Sequence, residues 1–410
     1  MAGDSSDRVV DDPQLDPGWQ KRAALRFVLT IGIVSLFADM TYEGSRSITG
    51  QYLAILGATG TVVGIVAGLG ELLGYGLRLV SGRLADRTGD YWPITLFGYF
   101  IQMLAVPALA LAGNWQVAAA LIIVERIGKA TRNPPRDVML SHATEVIGRG
   151  WGFGVHEALD QTGALIGPLI AAWVLYARGQ YQAAFEVLLV PAFLTLTLIV
   201  VARLVYPRPQ DLAATPPDIA ARGLPKVFWL YLAGAALVAA GFADFSLIAF
   251  HFQKSSVVPA AWVPVFYSIA MGVSGLGSLI FGRLYDRFGL AVLIPLTLAA
   301  ALFAPLAFFG GFVLALIGIA LWGLGMGVHE SIMSAAVAGM VPSQRRASAY
   351  GLFTGGYGVS WFLGSVVLGV LYDISLPALV IFSVLIQLAA VPVFAVVGRR
   401  FAATPASEKY

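Results

Sequence analysis

The sequence predicts an all-α integral membrane protein whose twelve transmembrane helices form two pseudo-symmetric six-helix lobes. Three observations carry that expectation. Only 12% of the 410 residues are charged and 58% are hydrophobic, against about 25% charged in an average soluble domain. Apolar runs long enough to cross a bilayer recur along the chain, and short segments of the first half reappear in the second. A soluble fold of this length would lack the polar surface to cover itself, which excludes a cytosolic enzyme. The net charge of +3 is too small and too dispersed for a nucleic-acid binder. Zero cysteines exclude disulfides, iron–sulfur clusters and thiolate metal sites.

Residues 1–22 are polar and carry Asp4, Asp7, Asp11, Asp12 and Asp16. That is the wrong charge for a leader peptide, so an uncleaved cytoplasmic tail is expected. The first lobe, 23–205, holds apolar runs near 24–45, 58–80, 93–112, 115–135, 151–176 and 181–205. Each is about the 20 residues a helix needs to span the hydrocarbon. Continuous apolar runs with scattered Gly and Pro fit helices and not the alternating strands of a barrel. Asn133-Pro134-Pro135 is expected to end the fourth span, placing Arg136 and Asp137 outside the hydrocarbon. Residues 206–225, with Pro207, Pro209, Pro216, Pro217 and Pro225, read as a cytoplasmic linker. The second lobe, 226–398, holds runs near 226–250, 261–281, 289–309, 311–333, 350–372 and 376–397, and 399–410 form a second cytoplasmic tail. With both termini inside, all of the 26 Lys and Arg except Arg46, Arg178 and Lys254 fall on the cytoplasmic side or in cytoplasmic halves of helices. This orientation obeys the positive-inside rule in an inner or plasma membrane.

The repeat is specific. Gly82-Arg83-Leu84-Ala85-Asp86-Arg87-Thr88-Gly89 follows the second span, and Gly282-Arg283-Leu284-Tyr285-Asp286-Arg287-Phe288-Gly289 follows the eighth at an offset of 200. Phe37-Ala38-Asp39 recurs as Phe242-Ala243-Asp244 at an offset of 205. Internal repeats of this kind mark many secondary transporters. On these segments the chain resembles the major facilitator superfamily over residues 24–397. The G-x-L-A-D-R-x-G loop is that family's signature, although Asp90 and Tyr91 stand where the family has two basic residues. The resemblance implies the major facilitator fold, and a loop that latches the cytoplasmic gate in one state of the cycle. Gly82 and Gly282 would allow close helix approach, and Asp86 and Asp286 would accept hydrogen bonds at a helix terminus. Arg83, Arg87, Arg283 and Arg287 would pair with acids or lipid phosphates.

Gly163-Ala164-Leu165-Ile166-Gly167-Pro168-Leu169-Ile170-Ala171-Ala172 is similar to that family's antiporter signature G-x-x-x-G-P-x-x-G-G, with alanines for the last two glycines. Gly163 and Gly167 would admit a neighbouring helix, and Pro168 would bend their own. Glu125-Arg126-Ile127-Gly128-Lys129-Ala130 resembles the drug–proton antiporter pattern of a buried arginine before a glycine, with Ala130 in the glycine's usual place. Together these imply a drug/proton-antiporter-like exporter.

An ionisable side chain at mid-membrane costs about 2.5–3.5 kcal/mol by insertion scales, so each needs a reason. The first half places Asp39, Glu43, Glu71, Glu125, Glu157 and Asp160 in its spans, and the second Asp244 and Glu330. Asp39, Glu43 and Arg46 share one helical face by their spacing of four and three. There a protonatable pair would be tuned by burial and by Arg46. Asp39 and Asp244, matched across the repeat, are expected to face one another over a cavity. Glu71 reads as a lone mid-span acid that stays protonated until the cavity opens. Asp39, Glu43, Glu71, Arg126 and Asp244 are therefore the proton-coupling candidates. The substrate-cavity candidates are Tyr42, Arg46, His156, Asp160, Trp322 and Tyr357. The charges of the fourth span, Glu125, Lys129, Arg132 and Arg136, are expected to neutralise one another near the cytoplasmic surface. Gly323, Gly325 and Gly327 are read as helix-packing positions. His156 with Asp160, four apart, is the better divalent-metal pair, because adjacent residues point about 100° apart on a helix.

The expected function is secondary transport of a small molecule by alternating access, as a proton-coupled efflux antiporter. The alternatives are a proton-coupled importer of a small, possibly anionic metabolite that uses Arg126, Lys129 and Arg132, a divalent-metal exporter and a non-transporting sensor. The expected partners are the bilayer, protons and a small-molecule substrate. No enzyme activity, cofactor, resident metal or nucleic acid is expected, and the chain reads as a monomer.

Overall fold

The structure is a computed structural model that describes residues 17–207, 224–341 and 346–403. Among the described residues it is built from α-helices with short 3-10 turns and no strand. The first half contains α1 (Pro17–Ile55), α2 (Gly60–Thr88), α3 (Tyr91–Ala108), α4 (Trp115–Ile147), α5 (Arg149–Arg178), α6 (Tyr181–Val187) and α7 (Leu189–Val205). The second contains α8 (Lys226–Gly241), α9 (Phe245–Ser255), α10 (Trp262–Phe288), α11 (Leu293–Ala301) and α12 (Phe303–Phe309). It ends with α13 (Phe312–Met340), α14 (Arg346–Ile374) and α15 (Leu376–Ala403). The expected tail 1–16, most of the linker (208–223) and 404–410 lie outside the described residues, as do the side chains of Asp86 and Glu330.

Ten helical stretches among the described residues are long and apolar enough to cross a membrane. One of them, 262–309, is 48 residues long and contains the turn at Gly289, where φ is 59°. α4 is not among the ten, because Glu125, Arg126, Lys129 and Arg132 crowd its middle. The outer surface is apolar, as lipid contact requires: Phe97, Leu104, Trp173 and Leu276 are all more than half exposed.

Local chemistry explains several element ends. Thr59 and Asn114 cap α2 and α4 by accepting from Val62 N at 3.2 Å and Val117 N at 2.9 Å. Gly89 and Gly179 close α2 and α5 in the left-handed region.

The expected end of the fourth span at Asn133-Pro134-Pro135 is not observed: α4 runs on to Ile147 with both prolines inside it. Pro134 has no N–H for the Ala130 carbonyl one turn earlier. The Ser81 hydroxyl of α2 donates to that carbonyl at 3.0 Å and satisfies it instead. Arg136, expected outside the hydrocarbon, is consequently buried and donates to Ser35 Oγ at 3.1 Å.

Glycines set the closest helix contacts. A Cβ on Gly163 would strike the Leu36 carbonyl, and one on Gly167 the Met40 carbonyl, so α5 packs directly on the α1 backbone. Gly364 does the same against Ala240, joining α14 to α8. Gly323 abuts Ala270 and Gly327 abuts Ser274, joining α13 to α10. Gly82 would meet only Pro134, at an ordinary 3.5 Å, and Gly282 nothing within 4 Å. The close approach expected at those two loop glycines is therefore absent here.

The two halves meet most tightly at one end, called here the far end, where α1 and α9 finish and α2 starts. Gly50 lies against Ser246 and Gly64 against Ser365 and Gly369. Asp373, at the end of α14, accepts from Gly60 N at 2.8 Å, Thr61 N at 2.7 Å and Thr61 Oγ1 at 2.6 Å. A carboxylate of the second half thus caps a helix of the first.

Candidate functional site

A cavity of about 610 Å³ lies between the halves, within the size range of small-molecule sites. Its walls are chemically unlike. The first half lines it with Tyr42, Glu43, Arg46, Glu71, Tyr75, Arg78, Arg126, Lys129 and Glu157. The second half contributes Ser278, Met326, His329, Phe353, Thr354, Tyr357 and Trp361. Among the described residues every Asp, Glu, Lys or Arg at the cavity comes from the first half.

The charges form a chain that crosses from one half to the other. Asp244 Oδ2 accepts from Arg46 Nη2 at 3.0 Å, and the same nitrogen reaches Glu71 Oε1 at 3.3 Å. Glu71 Oε1 is shared with Arg126 Nη1 at 3.0 Å. Arg126 also donates to the Tyr42 hydroxyl and lies 3.6 Å from Glu125 Oε2. Glu71 is therefore not lone, as its sequence context suggested, but held by two guanidinium groups. Such pairs offset part of the desolvation cost that each ion would bear alone.

The expected triad on α1 is also rearranged. Glu43 takes a 2.5 Å hydrogen bond from Tyr267 of α10 and lies 3.9 Å from Lys129 Nζ. Arg46 turns instead to α2 and α9. Asp39 is buried against Arg132 Nη2 at 3.4 Å, and Arg132 is held further by Gln102 at 2.5 Å and Tyr99 at 2.9 Å. Neither Asp39 nor Asp244 is among the cavity-lining residues, so the two do not face each other across it. Side chains from neighbouring helices intervene: Arg132 claims one acid and Arg46 the other. Asp244 additionally caps α9, accepting from Ser246 N at 2.8 Å.

Of the other predicted residues, Tyr42, Arg46 and Tyr357 line the cavity, while Trp322, His156 and Asp160 do not. Trp322 is fully buried, with Nε1 donating to the Ala243 carbonyl at 2.9 Å and its ring against Phe242 and Phe245. It packs around the α8–α9 break. His156 Nε2 bonds to Ser35 Oγ at 2.9 Å and not to Asp160. Among the described residues no three His, Asp or Glu side chains converge as a metal site. The charges of α4 are not a surface cluster either: Glu125, Arg126, Arg132 and Arg136 are all buried. The loop arginines Arg83, Arg87, Arg283 and Arg287 are exposed, as is Asp286.

Lys129, which the anion-importer alternative names with Arg126 and Arg132, lines the cavity; Arg78 and His329, whose Nδ1 bonds Tyr357 OH at 2.9 Å, line it too without having been singled out as cavity residues. Lys129 Nζ sits 3.4 Å from the Tyr42 ring centroid, a cation–π contact.

Comparison with known proteins agrees with this architecture. The model of the Major Facilitator Superfamily matches residues 30–365 and 276–409. An uncharacterized protein of Mycobacterium tuberculosis is 45% identical over 375 residues, covering 90% of this chain and 92% of the relative. An uncharacterized MFS-type transporter of Methanocaldococcus jannaschii is 24% identical over 85% of this chain and 89% of its own length. The multidrug resistance protein MdtH of Proteus mirabilis is 30% identical over 125 residues, covering 30% of this chain and 31% of the relative. Among solved structures, the peptide transporter POT in complex with sulfate superposes with a TM-score of 0.74 at 15% identity. That match covers 92% of this chain and 95% of the other and shows a shared fold.

Proposed function

The chain belongs to the major facilitator superfamily, and on that premise we propose that it is a proton-coupled secondary transporter of a small organic molecule, with Glu71 carrying the coupling. The scaffold is read as twelve passes in two six-helix lobes. The 48-residue stretch 262–309 then counts as two passes that turn at Gly289, and α4 is the charged twelfth. The distribution of Lys and Arg supports termini on the cytoplasmic side. The far end of the bundle is then extracellular, and its closure by Asp373 corresponds to an inward-facing state.

The observation that carries the reading is the sharing of Glu71 between Arg46 and Arg126 at the cavity wall. Arg46 at the same time holds Asp244 of the other half. Protonating Glu71 removes its hold on both arginines. Arg46 then remains with Asp244 alone, and Arg126 gains free donors beside the cavity. Proton occupancy is thereby linked both to substrate affinity and to the contact between the halves.

Two directions follow from different observations. Export by exchange is supported by the Gly163-Gly167-Pro168 motif and by the partial similarity to a multidrug resistance protein. Uptake together with protons is supported by the Glu71 pairings, because a proton on Glu71 prepares cationic donors for substrate instead of displacing it. We take uptake as the conclusion, since the motif's glycines are accounted for by the packing of α5 on α1. In this reading the loops at Gly82–Gly89 and Gly282–Gly289 engage only when the cytoplasmic side closes. Asp39 serves mainly to hold Arg132.

The test is internal pH in proteoliposomes carrying an entrapped dye while a panel of organic acids and amines is added outside. Internal acidification that accompanies uptake, and is abolished by Glu71→Gln, is the expected result. Alkalinisation would establish exchange. Solute movement with no proton flux would refute coupling.

A further inference from the structure

We infer that the cavity takes an aromatic organic anion, its ring against the wall of the second half and its anionic group against the cations of the first. The inference deepens the proposed function and rests on its reading of this cavity as the transport site.

The second half's wall is a cluster of rings. Phe353, Tyr357 and Trp361 follow one another at four-residue spacing along α14, with centroids 5.9 and 5.8 Å apart. His329 joins Tyr357 and Trp361 at 5.8 and 5.9 Å. Offset and edge-on ring contacts at these separations are the packing that aromatic ligands extend. Met326 beside them suits the same surface, since a thioether contacts rings favourably.

The sign of the polar group follows from which charges are already satisfied. Each carboxylate at the cavity has a close partner. Glu43 accepts from Tyr267 at 2.5 Å, Glu71 from two arginines, and Glu157 from Gln161 at 3.0 Å. The cations have donors to spare. Lys129 approaches its nearest carboxylate only to 3.9 Å, beyond hydrogen-bond distance. Arg78 has no carboxylate within ion-pair distance among the described residues and lies 5.7 Å from the Tyr75 ring centroid.

A cationic ligand would meet Lys129 and Arg78, both lining the cavity, with like charge.

The experiment measures binding to the full-length protein in detergent by thermal shift, read with an extrinsic dye, and by titration calorimetry. It uses three probes with one ring and different heads: indole-3-acetate, indole-3-acetamide and tryptamine. Indole-3-acetate should raise Tm and bind at least about tenfold more tightly than the amide, the size of one charge-assisted hydrogen bond. Tryptamine should not bind. Lys129→Gln and Arg78→Gln should each lower affinity for the anion about tenfold, and Lys129→Arg should retain it. A preference for tryptamine, equal binding of acid and amide, or unchanged affinity in both cation variants would overturn the inference, as would failure of the acid to bind at millimolar concentration. Anion binding without proton flux would sink only the proton coupling. Proton-coupled transport of amines would sink only the ligand assignment.

Discussion

The segment Phe-Ala-Asp occurs in both halves of the chain and is built into them differently. Phe37-Ala38-Asp39 lies within the uninterrupted α1. Phe242-Ala243-Asp244 lies where the corresponding helix breaks into α8 and α9, with Asp244 capping the second piece. In the first half, Gly163 and Gly167, one turn apart, hold α5 on the α1 backbone at Leu36 and Met40. In the second half Gly364 packs on the α8 backbone at Ala240, and side chains of other helices take up the carbonyls at the break: Gly241 accepts from Ser383 Oγ at 2.6 Å and Gln387 Nε2 at 3.2 Å, and Ala243 from Trp322 Nε1 at 2.9 Å.

The break also changes what the aspartate does. Asp39 answers Arg132 inside its own half, whereas Asp244 answers Arg46 across the interface. The largest expected effect tests that contrast. Arg46→Gln leaves the nearly inaccessible Asp244 carboxylate without its counter-ion, a loss of about 3–5 kcal/mol. It should appear as a large fall in the detergent Tm. Adding Asp244→Asn should recover much of the loss. Asp39→Asn should cost less, about 1–3 kcal/mol, because Gln102 and Tyr99 still hold Arg132. Equal falls for Arg46→Gln and Asp39→Asn would erase the distinction between the two aspartates.

These contrasts mark how much was legible in the sequence. Hydropathy and the repeated loop are sufficient for the membrane class, the all-helical fold and the family, since each depends on local composition. Spacing on α1 groups Asp39, Glu43 and Arg46 on one face; Glu43 and Arg46 line the cavity and Asp39 does not, and the partners of all three lie on other helices. A helix face says which side chains leave together. It does not say whether Arg46 meets Glu43 on its own helix or Asp244, 198 residues away. The continuation of α4 past Pro134 was hidden for the same reason, because the compensating hydroxyl, Ser81, belongs to another helix. The Asp373 cap on α2 spans 313 residues and leaves no local signature at all.

An intermediate effect tests the shared packing. Gly163→Ala and Gly364→Ala each place a methyl against a backbone carbonyl that cannot swing away. Each should cost about 1–3 kcal/mol as the helices separate. Gly282→Ala, with nothing within 4 Å of the added carbon, should stay within about 0.5 kcal/mol of the parent. Thermal stability of the three variants side by side is the measurement. A silent Gly364→Ala would show that only the first half depends on this contact.

The smallest effect separates the two loop glycines, which the sequence presents as equivalent. Gly89 has φ 65° and ψ 1°, a left-handed helix cap that asparagine also adopts. Gly289 has φ 59° and ψ −146°, a conformation open in practice only to glycine. Both N–H groups return to the residue four earlier, Ala85 and Tyr285, so hydrogen bonding does not distinguish them. The backbone angle does. Gly89→Asn should therefore change Tm by only the equivalent of a few tenths of a kcal/mol. Gly289→Asn should cost about 1–2 kcal/mol, or shift the turn that separates α10 from α11. Greater sensitivity at Gly89 would mean that the first-half loop, and not the second, is the more constrained of the pair.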